Sequence, residues 1–188
     1  MSFTPTVLAG PSGVGKGTVL ASLCAHYPQV WLSVSVTTRR PRPGEIDKQH
    51  YFFVSDSEFD DLVTRDGLLE WADYQSSRYG TPRQAVEEKI RQGRPVVMEL
   101  DLQGVRQVVS RLNPVTTVFL APPSIEELER RLRARGTETE SDIARRLVTA
   151  REELRHQSEF DHVVVNHELA GAVAELIDLI GLGPVQTS

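Results

Sequence analysis

The sequence predicts an α/β domain, a parallel β-sheet core flanked by helices. Three observations predict it. Short apolar runs at Thr6–Ala9, Pro95–Asp101, Thr116–Ala121 and His162–Asn166 alternate with stretches of helical periodicity. The first run feeds a glycine-rich turn that opens a helix, "GPSGVGKGT" (10–18). A chain of 188 residues, 39% hydrophobic and 25% charged, suits one globular domain.

Thr6–Ala9 is a short strand running into the turn, and Lys16–His26 is helical. The polar stretch Thr37–Gln49, with Pro41, Pro43 and Gly44, reads as loop. Strands follow at Tyr51–Val54 and Leu68–Asp73, with a helix from about Ser57 to Arg65 between them. Pro82–Gln92 is a helix with Pro in its first turn, a favoured place. Pro95–Asp101 is a buried strand ending in carboxylates, Gln103–Leu112 a helix and Thr116–Ala121 another buried strand. Ser124 with Glu127 makes a capping-box pattern ahead of a helix through Arg135, whose apolar stripe is Ile125, Leu128 and Leu132. After the polar "GTETES", Ile143, Leu147, Ala150 and Leu154 repeat at helical spacing. His162–Asn166 is the last strand. Ala170–Leu182 holds Glu175 and Asp178, so it reads as a packed helix and not a membrane span.

Charge and cysteine use narrow the partners. A net charge of −5 gives no global basic field, which argues against nucleic acid. The lone Cys24 cannot form an internal disulfide and falls in the first helix as a small apolar residue. "MSFTPTVLAG" lacks a basic leader and a long apolar run, so the expected setting is cytoplasmic, without a membrane. No obligatory protein partner is expected. The segment 124–157 balances eight Arg against eight Asp and Glu, the pattern of solvated helical faces.

The turn carries the first chemistry. In G-x-x-x-x-G-K the glycines let backbone N–H groups turn around phosphate oxygens, the next helix adds its positive end, and the Lys reaches the β- and γ-phosphates. The strand–loop–helix setting is that of a P-loop NTPase-type core. The ATP-binding candidates are therefore Gly10, Pro11, Ser12, Gly13, Val14, Gly15, Lys16, Gly17 and Thr18. Gly17 stands where this loop usually has the Ser or Thr hydroxyl that touches Mg²⁺. "GKGT" resembles the loop of nucleoside monophosphate kinases such as adenylate kinases, in which Mg²⁺ is held by nucleotide phosphates and water more than by protein.

A second set of segments is more specific. "SVSVTTRRPRPGEIDKQHYFFVSDSEF" (33–59), "GLLEWADY", "RYGTP", "ELDLQGV", "FLAPPS", "RLRARGTETE" and "VVVN" occur in order. Together, from about Thr6 to Ile180, they resemble a guanylate kinase, an ATP:GMP phosphotransferase. The resemblance implies a core (1–32, 85–123 and 158–188), a small mixed α/β GMP-binding insertion (33–84) and a helical lid (124–157). It implies that Arg39, Arg42, Tyr51 and Tyr79 hold the GMP phosphate, and guanidinium forks and phenols suit a dianion. Glu70 matches the carboxylate that accepts both guanine donors, N1–H and the N2 amino group, while repelling adenine N1. Ser35 and Thr81 match hydroxyls near the base, the family often having Ser at the second. Glu99, which falls where the family commonly has Asp, and Asp101 complete the GMP-binding set that the resemblance implies. Asp101 ends its strand in the manner of a Walker B acid, placed to reach Mg²⁺ through water.

Lys16, Arg131, Arg135 and Arg146 match the catalytic cations, the three arginines belonging to the lid. Asn166 matches an adenine-contacting position. The implied substrates are ATP with Mg²⁺ and GMP, with dGMP as a further acceptor. No general base is needed, because the nucleophile is a phosphate oxygen that is already anionic. Trp31 and Trp71 read as packing, and Arg40, Arg133, Arg145 and Arg151 as solvated. Two other readings differ in kind. A non-catalytic phosphopeptide-binding module of the same fold sits poorly with Lys16, the loop glycines and the lid arginines. A monophosphate kinase of other base specificity sits poorly with Glu70 and "SVSVTTRRPRPG".

Overall fold

The computed structural model describes residues 3–74, 76–134, 136 and 139–183. In chain order these form β1 (Thr6–Ala9), α1 (Lys16–His26), β2 (Trp31–Leu32), β3 (Val36–Thr37), β4 (Phe52–Phe53), α2 (Asp56–Thr64), β5 (Leu68–Tyr74) and β6 (Ser77–Pro82). There follow α3 (Arg83–Arg91), β7 (Val96–Glu99), α4 (Leu102–Arg111), β8 (Thr116–Ala121), α5 (Ile125–Ala134), α6 (Glu140–Arg155), β9 (His162–Val165) and α7 (Leu169–Ile180).

β2, β7, β1, β8 and β9, in that order, make an all-parallel sheet. Its central strands are continuous apolar runs because helices cover both faces. The two-residue strand period sorts them. Leu8, Val97, Val118 and Leu120 pack with α1 and α7, whereas Val7, Ala9, Met98 and Phe119 pack with α3 and α4.

The second sheet is mixed, in the order β4-β3-β6-β5. β3 runs parallel to β4 and antiparallel to β6, which runs antiparallel to β5. Val36, Phe59 and Leu68 form its small core beneath α2. The α5–α6 hairpin has a third core, Leu128, Leu132, Ile143, Leu147 and Ala150.

β5 belongs to two cores at once. Leu68 faces the mixed sheet's core and Leu69 the main one. A register irregularity between Leu68 and Glu70 then sets Glu70 opposite Thr81. Bulges of this kind re-aim a side chain. Gln107 of α4 grips the same strand, accepting from Trp71 N–H at 3.2 Å and donating to Trp71 O at 2.9 Å.

Local details depart from the sequence reading. Pro82 is not in the first turn of α3: the β5–β6 ladder extends to Leu68↔Pro82, so the helix starts at Arg83 with Pro82 as its cap. Ser124 Oγ accepts from Glu127 N–H at 3.1 Å, but the Glu127 carboxylate turns to Arg130 and Arg131. Complete capping boxes stand instead at Ser55/Glu58 and Thr139/Asp142, opening α2 and α6. β2, β3 and β6, absent from the sequence reading, are strands; two are only two residues long and the third carries Gly80 and no apolar alternation. Among the described residues no helix is long and apolar enough to cross a membrane.

Candidate active site

The carboxyl ends of β1, β7 and β8 open onto the glycine-rich turn, the crevice where open α/β sheets take ligands. Gly10, Gly13 and Gly15 all have positive φ, at 144°, 91° and 103°. A Cβ on Gly13 would lie 2.6 Å from Leu132 Cδ2, so the α5–α6 hairpin sits directly on the turn. Lys16 Nζ donates to Gly10 O at 2.6 Å and Pro11 O at 3.3 Å, closing the turn on itself. Burial pulls the Lys16 pKa down, and the charges of Glu99, Glu153 and Asp101 oppose that fall. At Gly17 a side chain would meet nothing within 4 Å. Thr18, one residue on, is exposed and lines a cleft of about 380 Å³ with Gly15, Arg131 and Asn166.

Two of the sequence-predicted lid arginines reach this turn. Arg131 Nη1 donates to Val14 O at 3.5 Å and its Nη2 to Asn166 O at 2.9 Å, and Arg146 Nη1 donates to Ser12 Oγ at 3.1 Å. Arg135 lies outside the described residues. Arg133 and Arg145 sit in surface ion pairs, with Glu129 and Glu140 and with Asp142. Asn166 is buried, and its Nδ2 donates to Val14 O at 2.8 Å, so its amide is committed to holding the turn.

Across the crevice, Glu70 and Thr81 are buried side by side, Thr81 Oγ1 donating to Glu70 Oε1 at 2.7 Å. Burial pushes the Glu70 carboxyl up to about 7, with the Thr81 hydrogen bond opposing and the Asp101 charge adding to the rise. Asp101 is exposed; its Oδ1 accepts from Gly104 N–H at 2.7 Å, capping α4. A Cβ on Gly104 would meet Glu70 Oε2 at 3.1 Å and Asp101 Oδ1 at 3.3 Å, so both carboxylates share one wall. Glu99, two residues before Asp101, is exposed at the end of β7.

The basic loop is organised around a residue that sequence reasoning passed over. Glu45 accepts both Nη groups of Arg39, at 2.9 and 2.8 Å, and the Arg42 backbone N–H at 2.7 Å. These bonds hold the Glu45 carboxyl down at about 2. Arg39 Nε donates to Tyr79 Oη at 3.2 Å, and the guanidinium lies 5.3 Å from the Tyr51 ring centre. The Arg42 side chain is exposed, and Ser35 lies beside β4, its carbonyl accepting from Phe52 N–H. Arg39, Tyr51 and Tyr79 are therefore gathered in one place, the two rings 6.0 Å apart. Glu45 had a signal, since it stands within the quoted "RPGE"; Gln107 and Glu153 had none beyond their chemistry.

Comparison with known proteins accords with this geometry. Residues 2–181 match the family model of guanylate kinase. The chain is 57% identical over 172 residues to a guanylate kinase of Synechococcus sp. (strain CC9311), covering 92% of this chain and 90% of that protein. It resembles the crystal structure of guanylate kinase from Anaplasma phagocytophilum with a TM-score of 0.75 at 29% identity, over 96% of this chain and 86% of the other. Shikimate kinase from Bacteroides thetaiotaomicron, at TM-score 0.51 and 16% identity over 96% of this chain and 99% of its own, shares the fold.

Proposed function

The chain belongs to the guanylate kinase family and transfers a phosphoryl group from ATP to GMP, and on that premise we propose which residues do so. The observation that carries the assignment is the buried Glu70–Thr81 pair, which shares a wall with Asp101, a carboxylate whose charge also acts on Lys16. A buried carboxylate that keeps an accepting oxygen matches guanine, which offers two adjacent donors, and opposes adenine, which offers an acceptor there.

On the donor side, the loop Gly10–Thr18 cradles the ATP phosphates and Lys16 leaves the Gly10 carbonyl to meet them. Arg131, Arg135 and Arg146 neutralise the charge of the transferred group. The cleft beside Asn166 receives the adenosine side, and Asn166 serves by fixing the loop. On the acceptor side, Arg39, Arg42, Tyr51 and Tyr79 take the GMP phosphate, with Ser35, Thr81 and Glu99 near the base. The GMP-binding region is 33–84 and the α5–α6 lid 124–157, on a core of 1–32, 85–123 and 158–188. Catalysis is alignment, charge neutralisation and exclusion of water, since the attacking oxygen is already anionic.

Mg²⁺ accompanies ATP in this reading. Asp101 offers an exposed, hard carboxylate oxygen at the wall of the crevice, suited to that ion through water. When bound, the ion neutralises phosphate charge. A cytoplasmic setting is part of the same reading, supported by the single unpaired Cys24.

The test is a coupled assay of ATP and Mg²⁺ with GMP, dGMP, AMP, CMP and UMP. GMP is expected to be the best acceptor, dGMP to be used and AMP to be nearly inert; comparable rates with AMP or CMP would sink the base assignment.

Gly17 gives a second expectation. Space is open there, so Gly17→Ser fits, adds about 0.5 kcal/mol of helix propensity, keeps most activity and lowers the Mg²⁺ needed for half-maximal rate. Thr18→Val removes a phosphate donor and weakens ATP use at every Mg²⁺ level. Initial rates over a Mg²⁺ titration separate the two. Full rescue of Thr18→Val by high Mg²⁺ would make Thr18 the metal's hydroxyl.

A further inference from the structure

Glu153 is a titratable group that the reaction just described does not use. It lies on α6 two turns beyond Arg146, so both occupy the face turned toward the glycine-rich turn. Arg146 reaches Ser12 Oγ from there. The Oε2 atom of Glu153 is buried and has no hydrogen-bond partner. Such an oxygen is costly for a helix to keep. Its neighbour Glu152 shows the inexpensive alternative, pairing with Arg155 at the surface. Burial and three groups govern the charge of Glu153. Burial pushes its carboxyl up, Lys16 and the Ser12 backbone N–H pull it down, and Asp101 adds to the rise. In return Glu153, with Glu99 and Asp101, favours the charged form of Lys16.

We propose that Glu153 is a positioning residue for phosphoryl transfer: from the second hairpin helix it holds the Ser12 turn and the Lys16 side chain where the ATP phosphates arrive. The inference rests on reading that turn as the ATP phosphate site. The hairpin then acts on the turn at four points, Leu132 beneath Gly13, Arg131 on Val14 O, Arg146 on Ser12 and the charge of Glu153 on Lys16. Among them, only Glu153 sets an opposite charge beside the lysine. The acceptor residues Arg39, Tyr51, Glu70, Tyr79 and Thr81 belong to the mixed sheet and its loop, so its loss acts chiefly on one substrate.

The experiment measures kcat/KM for ATP and for GMP in wild type, Glu153→Gln, Glu153→Asp and Glu152→Gln. Wild-type turnover of ATP with GMP tests the underlying reading separately. In Glu153→Gln the ratio of kcat/KM for ATP to that for GMP is expected to fall about three- to tenfold, the net worth of one such interaction. Glu153→Asp should recover part of that loss, and Glu152→Gln should match wild type. A ratio unchanged in Glu153→Gln, whether both constants hold or both fall together as in a packing defect, overturns the proposal. Should the Gln variant not fold, the ratio in Glu153→Asp decides: a fall supports the proposal and an unchanged ratio overturns it.

Discussion

Lys16→Met is expected to lower kcat about a hundredfold to a thousandfold, the usual cost of removing one preorganised charge-stabilising donor. In the free protein the ammonium is parked on the Gly10 and Pro11 carbonyls, within the field of Glu99, Glu153 and Asp101. Those carboxylates favour its charged form against the pull of burial. Met preserves the stem and its packing and removes only the charge. KM for GMP should change little, because Arg39 and Arg42 lie on the loop between β3 and β4 of the mixed sheet, apart from the glycine-rich turn. The measurement is initial rate at saturating ATP and GMP, with a thermal melt as control for the lost bonds to the loop, worth about 1 kcal/mol each. A kcat within tenfold of wild type would shift the burden to the lid arginines.

Glu70→Gln should lower kcat/KM for GMP about tenfold to a hundredfold, the worth of a charged hydrogen bond of about 1.5–3 kcal/mol. It should at the same time stabilise the protein, and only above acid pH. Glu70 titrates near 7 in the folded state, against an ordinary value of 4.5. Between those values the folded protein keeps a proton that the unfolded chain has lost, so stability falls as pH rises through that window. The loss is of order 3 kcal/mol and is complete above about pH 7. Gln carries no such charge. The difference in melting temperature between variant and wild type should therefore grow from pH 5 to pH 8. Activity runs the opposite way. Only the ionised carboxylate accepts both guanine donors, so wild-type kcat/KM for GMP should climb through about pH 7 and Glu70→Gln should lack that limb. The GMP phosphate, with a second pKa of about 6, is already dianionic over most of this range. A melting difference that is flat with pH would mean that Glu70 is not the group under strain.

The elements legible in the sequence were those with strong local punctuation. β1, α1 and β8 begin and end where apolar run, glycine turn and helical period change together. The short strands β2 and β3 carry no such signal, since two residues have no period. The bulge in β5 was also hidden. "LLE" reads as one apolar edge, yet the three residues point to two cores and a pocket. At the site, the loop followed from its own chemistry. Glu70, Arg39 and Arg42 needed a family resemblance to stand out, because a lone acid or a basic loop is usually solvated. Glu153 was illegible for a physical reason. In a helix of alternating charges nothing local distinguishes it from Glu152; only the docking of α6 on the loop buries one and leaves the other at the surface.

The way α4 holds β5 bears on how such an enzyme changes over generations. Gln107 and Arg111 bind the backbone of that strand, at Trp71 N–H, Trp71 O and Leu68 O, and so are indifferent to its side chains. Val36, Phe59 and Leu68 pack in a core of their own. Side chains of β5 can drift while the grip on its backbone stays the same. Inheritance can thus revise what the strand presents without relearning how the strand is held.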